Sequence, residues 1–311
     1  MKFFCALFIF CFALNATELR LNDNLSALSL DENTLFIGTN AGEILHLNLE
    51  NKELQSLVKL KRVKNFYDES AANIFSIDNF NERLLVLSSS DFGKQKLNLI
   101  DKNGILSELE LGISGVKKAF FVDENTVLLA FISTEIKLLN LKLKELKSFK
   151  FTHSSLSDVR LNEDKSLLVA GFESGEIELF DLKKWQVKSK IATHKDSIYQ
   201  LDFKQGTLLS CAVDRKIALI KNADEKSKTQ SPQISYIDEN FLIYACALSP
   251  KASRLAYANN NESFVSVLET SDLKPVLKLE NLNFMVEYIV FLNEKSLLLA
   301  GFSDILHFYE F

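Results

Sequence analysis

Residues 167–220 constrain the chain more than any other stretch. Two apolar runs, Leu167-Leu168-Val169-Ala170 and Leu208-Leu209-Ser210-Cys211, begin 41 residues apart. Each is followed by a polar turn, Glu173-Ser174-Gly175 and Asp214-Arg215-Lys216. Each turn leads into a further apolar-rich run, residues 177–182 and 217–220. Equivalent runs begin at Leu35, Leu84, Val127, Leu167, Leu208, Leu255 and Leu297, at intervals of 49, 43, 40, 41, 47 and 42 residues. No helical stretch separates them. A strand–turn–strand unit recurring about every 40–45 residues is the sequence pattern of propeller blades.

The count of seven has an internal check. Residues 25–57 hold four short strands with polar turns, the content of one blade. Many strands carry apolar residues on both parities, as expected where each sheet packs against a neighbour on both faces. The last unit has only three strands before the chain stops at Phe311. An unpartnered alternating stretch, Glu18-Leu19-Arg20-Leu21-Asn22, stands at the other end. Paired as the missing outer strand, it closes the ring and removes exposed sheet edges. The expected fold is all-β: a seven-bladed β-propeller over residues 17–311, closed by an N-terminal strand. The two longest intervals contain polar inserts, residues 61–72 and 222–233, which follow different strands of their blades and so belong on opposite faces.

The first 16 residues have another reading. Met1-Lys2 gives a positive start, residues 3–14 are unbroken apolar, and Asn15-Ala16 precedes polar Thr17-Glu18. That pattern predicts a secretory signal peptide cleaved after Ala16. It is too short to span a bilayer, and no later segment approaches that length. A lipid anchor on Cys11 is the weaker alternative, because Phe10 precedes it. Removal of the signal leaves Cys211 and Cys246, either a disulfide or two buried strand thiols. An apolar share of 47% supplies a core, and a net charge of −5 argues against nucleic-acid binding.

Against this frame the repeats resemble the WD40 family. Thr193-His194 and Thr152-His153 stand where that family has Gly-His, and Phe180-Asp181 where it has Trp-Asp. The resemblance implies that His194, Ser210 and Asp214 form a buried hydrogen-bond network, with Ile220 in place of its tryptophan. In the preceding blade the matching positions are His153, Ala170, Ser174 and Phe180, a thinner version. A narrower resemblance is to the exported WD40-like accessory proteins encoded with the periplasmic nitrate reductase. It is carried by the signal sequence, LFIGTNAGEILHLNL, VKNFYD, FSIDNFNERLLVLSS and FLIYACALSPKASRLAYA. It implies a periplasmic, monomeric, non-catalytic protein that supports nitrate respiration or reductase maturation, with the reductase catalytic subunit as partner. A different exported scaffold, such as an envelope-protein assembly factor, fits the same residues.

Candidate chemistry is sparse. His194, Ser210 and Asp214 are the residue types of a hydrolase triad, but Ser210 lies mid-strand in an apolar run, and a nucleophile needs access. His46 and His307 sit on third strands without recurring Cys or acidic neighbours, so no metal site is expected. No glycine-rich phosphate loop occurs. Exported propellers that bind quinone cofactors carry recurrent tryptophans, and this chain has one, Trp185, so no cofactor is expected. Surface loops remain. On the face shared by the loops before first strands and between second and third strands we place Asn65, Phe66, Tyr67, Asp68, Phe172, Glu173, Phe302 and Ser303 as candidate partner-binding residues. Phe172 and Phe302 could equally pack between blades.

Overall fold

The computed structural model describes residues 15–224 and 232–311. It contains seven four-stranded antiparallel sheets. The second strands begin at Thr34, Arg83, Thr126, Leu167, Thr207, Arg254 and Ser296, each within one residue of its expected start. Six blades are built from consecutive strands. The seventh joins Tyr288–Asn293, Ser296–Ala300 and Ile305–Glu310 to the N-terminal strand Asn15–Arg20 on its outer edge. There Glu18 lies opposite His307, and Arg20 opposite Ile305. Residues 1–14, most of the expected signal, lie outside the described residues, as do residues 225–231 of the second insert. Cleavage after Ala16 would leave the pairs from Thr17–Phe308 to Arg20–Ile305 in place.

Burial explains the strand composition. The second strand of blade 4, Leu167–Phe172, is buried at every position. The outer strand of blade 3, Glu145–Lys150, is exposed almost throughout. Apolar clusters form between blades rather than within one: Val169 and Leu179 of blade 4 pack with Leu201 and Phe203 of blade 5. Leu25 and Leu35 of blade 1 pack with Leu298 and Leu306 of blade 7, carrying the core across the closure. At about 25 cal/mol per Å² of apolar surface removed from water, these interfaces are the main stabilising term.

The inner strands add polar links between neighbouring blades. The Ala119 and Phe121 N–H groups of blade 3 donate to Ser76 Oγ and Asp78 Oδ2 of blade 2, at 3.2 and 2.7 Å. The Leu201 N–H of blade 5 donates to Asp158 Oδ2 of blade 4 at 2.9 Å. The Leu248 N–H of blade 6 donates to Asp202 Oδ2 of blade 5 at 2.8 Å. Each bond satisfies a buried donor that no strand partner reaches. Cys211 and Cys246 are free thiols on blades 5 and 6, both fully buried, with sulfurs 3.9 and 3.8 Å from the same acceptor, Gln200 O.

Candidate functional site

His194 lies in the connection entering blade 5. Its Nδ1 is 3.0 Å from Asp214 Oδ1 and its Nε2 is 2.8 Å from Ser210 Oγ. The carboxylate at Nδ1 holds the proton there, so Nε2 accepts from the serine hydroxyl. Asp214 also accepts from the Lys195 and Lys216 N–H groups, at 3.0 and 3.2 Å. The network therefore ties the incoming connection to the turn between the second and third strands. Burial lowers the His194 pKa, and Asp214 opposes that shift. The order of groups matches a hydrolase triad, but Ser210 is 0% exposed. A serine nucleophile needs access, which this hydroxyl lacks.

Blade 4 solves the same problem differently. Ala170 offers no hydroxyl, and His153 does not join Ala170 or Ser174. Instead its Nε2 lies 2.7 Å from Glu178 Oε1 and its Nδ1 3.1 Å from Glu176 Oε2. Lys190 Nζ also reaches Glu178 Oε1, at 2.6 Å. His307 stacks on Phe284 with ring centroids 3.9 Å apart and meets Glu18 Oε1 at 3.2 Å. His46 sits 5.9 Å from the Phe36 ring. Among the described residues no group of three or more His, Cys, Asp or Glu could hold a metal ion.

The insert at residues 61–72 is ordered. Val63–Lys64 and Glu69–Ser70 pair as a small hairpin outside the blades. The Asn65 N–H donates to Asp68 O at 2.7 Å across its tip, and the Lys64 N–H to Asp91 Oδ1 at 2.8 Å below it. The Arg62 guanidinium donates to Glu69 O across the hairpin. Phe66 packs on Phe92, with ring centroids 5.6 Å apart. Phe92 has φ +58°, a left-handed conformation that costs a bulky residue energy. Phe66 is 83% exposed and Tyr67 101%.

No family model matches the sequence, and no curated protein matches it. Solved structures do: 1771 chains match its fold. The β-propeller domain of Cps50 (Swd1) from Myceliophteria thermophila matches with a TM-score of 0.76 and 14% identity, over 95% of this chain and 98% of that one. A chain of the mitotic checkpoint complex matches with a TM-score of 0.75 and 12% identity, over 95% and 93%. The chain is a WD40-like seven-bladed β-propeller. Identities this low speak to the fold alone.

In the propeller, the loops before first strands and between second and third strands share one face. Asn65, Phe66, Tyr67 and Asp68 stand together there at the hairpin tip, all exposed. Glu173 is exposed on blade 4, and Phe302 and Ser303 lie on blade 7, so the eight candidates do not form one patch. Phe172 is a correction. It is 0% exposed, pairs with Leu156 as the last residue of its strand, and packs under Phe151 and His153 at 5.3 and 4.0 Å. Sequence reasoning passed over Phe92. Its one signal is a large apolar residue inside the short polar turn Ser90-Asp91-Phe92-Gly93.

Proposed function

We propose that this propeller is a non-catalytic, exported scaffold that acts as an accessory factor of the periplasmic nitrate reductase, in its maturation or in support of nitrate respiration. The observation that carries the interaction role is the hairpin tip, where Phe66 and Tyr67 stand almost wholly in water on one face of the ring. Exposed aromatics of that kind are typical interface anchors. The sealed His194–Ser210–Asp214 network supports the non-catalytic reading, since its triad-like geometry has no access. One structural neighbour belongs to a protein complex, which is consistent with a scaffold role. The assignment to nitrate reduction rests on the sequence resemblance, and export rests on the apolar run of residues 3–14. Among the described residues no helix is long and apolar enough to cross a membrane.

The test is purification with this chain as bait from cells respiring nitrate, alongside nitrate reduction in a strain lacking it. The expected result is recovery of the reductase catalytic subunit and slowed nitrate reduction in the deletion strain. No recovery, together with normal reduction, overturns the assignment.

A further inference from the structure

The hairpin tip is the high point of a longer surface. Gln95, which follows the Phe92 turn, donates its N–H to Ile113 O at 2.8 Å, and the Ile132 N–H donates to Gly115 O at 2.9 Å. These bonds set the loops carrying Phe92, Ile113 and Ile132 side by side. All three side chains are exposed. Together with Phe66 and Tyr67 they form an apolar arc from the hairpin across blades 2 and 3. Exposed apolar patches of this kind on a polar surface mark interaction sites.

Charge around the arc has a sign. Lys59, Lys61, Arg62, Lys64 and Lys94 stand against Asp68, Glu69, Asp91 and Glu108, a local excess of one positive charge on a chain of net charge −5. The cations flank the hairpin base: Lys61 is 82% exposed at its side chain and lies 4.0 Å from Glu108 Oε2, and Arg62 donates to Glu69 O. The arc is preformed rather than floppy: the tip is closed by the Asn65–Asp68 bond, its base is held by Asp91, and Phe92 is fixed under Phe66. A preordered surface spends little entropy on docking.

We propose that this arc docks an acidic protein surface containing an apolar pocket that receives Phe66 and Tyr67. The proposal rests on the interaction-scaffold reading above but not on the identity of the partner. An anionic bilayer is the competing occupant, and Asp68 and Glu69 count against it. They adjoin Tyr67, so tip insertion would carry two carboxylates into a negatively charged headgroup layer. A protein pocket can leave both at its solvated rim.

The test uses the full chain with p-benzoylphenylalanine in place of Tyr67, produced in the cell that natively holds it. A second chain carries the same probe in place of Lys184, an exposed residue in a turn on the opposite face. The expected result is irradiation-induced linkage from position 67 to one protein. Mass spectrometry should place the linked peptide on an acidic surface, with no linkage from position 184. Changing Lys61 and Lys64 to Glu, which leaves the Arg62–Glu69 bond across the hairpin in place, should cut the adduct by about tenfold or more, a normal effect for lost interface cations. These residues are exposed, so an unchanged melting temperature serves as the folding control. Linkage to phospholipid or to a second copy of this chain, equal linkage from position 184, or no adduct from position 67 overturns the proposal. Linkage to an acidic protein other than the reductase leaves it standing and overturns the nitrate-reductase assignment instead.

Discussion

At His194, burial and charge pull in opposite directions. Burial disfavours the imidazolium, Asp214 favours it, and burial wins, so the folded pKa lies below its ordinary value of 6.5. In the unfolded chain the imidazole returns to that value. Below pH 6.5, therefore, the unfolded state binds more protons than the folded one, and stability rises with pH through that range. The contribution is fully present above 6.5 and fades as the pH falls. His307, whose pKa burial also lowers against the pull of Glu18, acts with the same sign. Melting followed from pH 7.5 down to 5 should show falling stability, with a shallower slope in a His194→Gln variant. At pH 7.5 that variant should be less stable by about 1–3 kcal/mol, because Ser210 and Asp214 lose a buried partner. Identical slopes in both chains would remove His194 as a titrating group.

Among the inner strands, the polar links between blades include one that is heavily charged. Lys118 Nζ on blade 3 lies 2.5 Å from Asp158 Oδ1 on blade 4, and Arg160 Nη2 lies 3.6 Å from the other carboxylate oxygen. Burial works against the Asp158 charge, but Arg160 and Lys118 outweigh it and hold its pKa at about 2. Burial, with Arg160 nearby, pushes Lys118 down to about 8, still protonated at neutral pH. Asp158 thus neutralises two cations and also accepts the Leu201 N–H. Removing it as Asp158→Ala should cost about 3–5 kcal/mol, because the largely buried Lys118 ammonium loses its counter-charge and keeps only the Val159 carbonyl. Asp202→Ala removes the acceptor of two neutral donors, the Leu248 and Phe203 N–H groups, and should cost about 1–3 kcal/mol. Urea denaturation of the two variants reads the ranking directly. Equal costs would mean that the charge at Lys118 is relieved by water.

For the molecule as a whole, the ring was readable because its strands are short apolar runs at a fixed spacing, and every second strand starts within one residue of its apolar marker. The fate of side chains at strand ends was not. Ala170-Gly171-Phe172 and Ala300-Gly301-Phe302 are the same tripeptide after similar apolar runs. Phe172 is fully buried, whereas Phe302 is 66% exposed. In blade 4 the strand pairs through Phe172, and Phe151 and His153 cover it. In blade 7 the strand ends at Ala300, and Phe302 meets Tyr288 edge-on, with ring centroids 6.0 Å apart, and stays largely in water. The difference is made by the neighbouring connection, about 20 residues away in sequence, which local pattern does not encode.

Closure was readable because it is a counting argument, and it yields a prediction about the whole ring. The N-terminal strand covers the edge of Ile305–Glu310, and the chain continues from it through Leu21, whose N–H donates to Asp304 O at 2.6 Å. Leu21 is buried in the cluster shared by blades 7 and 1, and Leu19 packs against it. Deleting residues 17–24 removes both leucines, the Glu18–His307 and Arg20–Asp304 contacts, and the outer strand itself. The two leucines alone are worth about 3 kcal/mol or more of apolar burial. The uncovered edge then presents unpaired N–H and C=O groups to other copies. The shortened chain should melt at a lower temperature and self-associate with rising concentration, read by calorimetry and light scattering. If it melts with the intact chain and stays monomeric, the ring does not depend on this strand, and the seven blades hold by inter-blade packing alone.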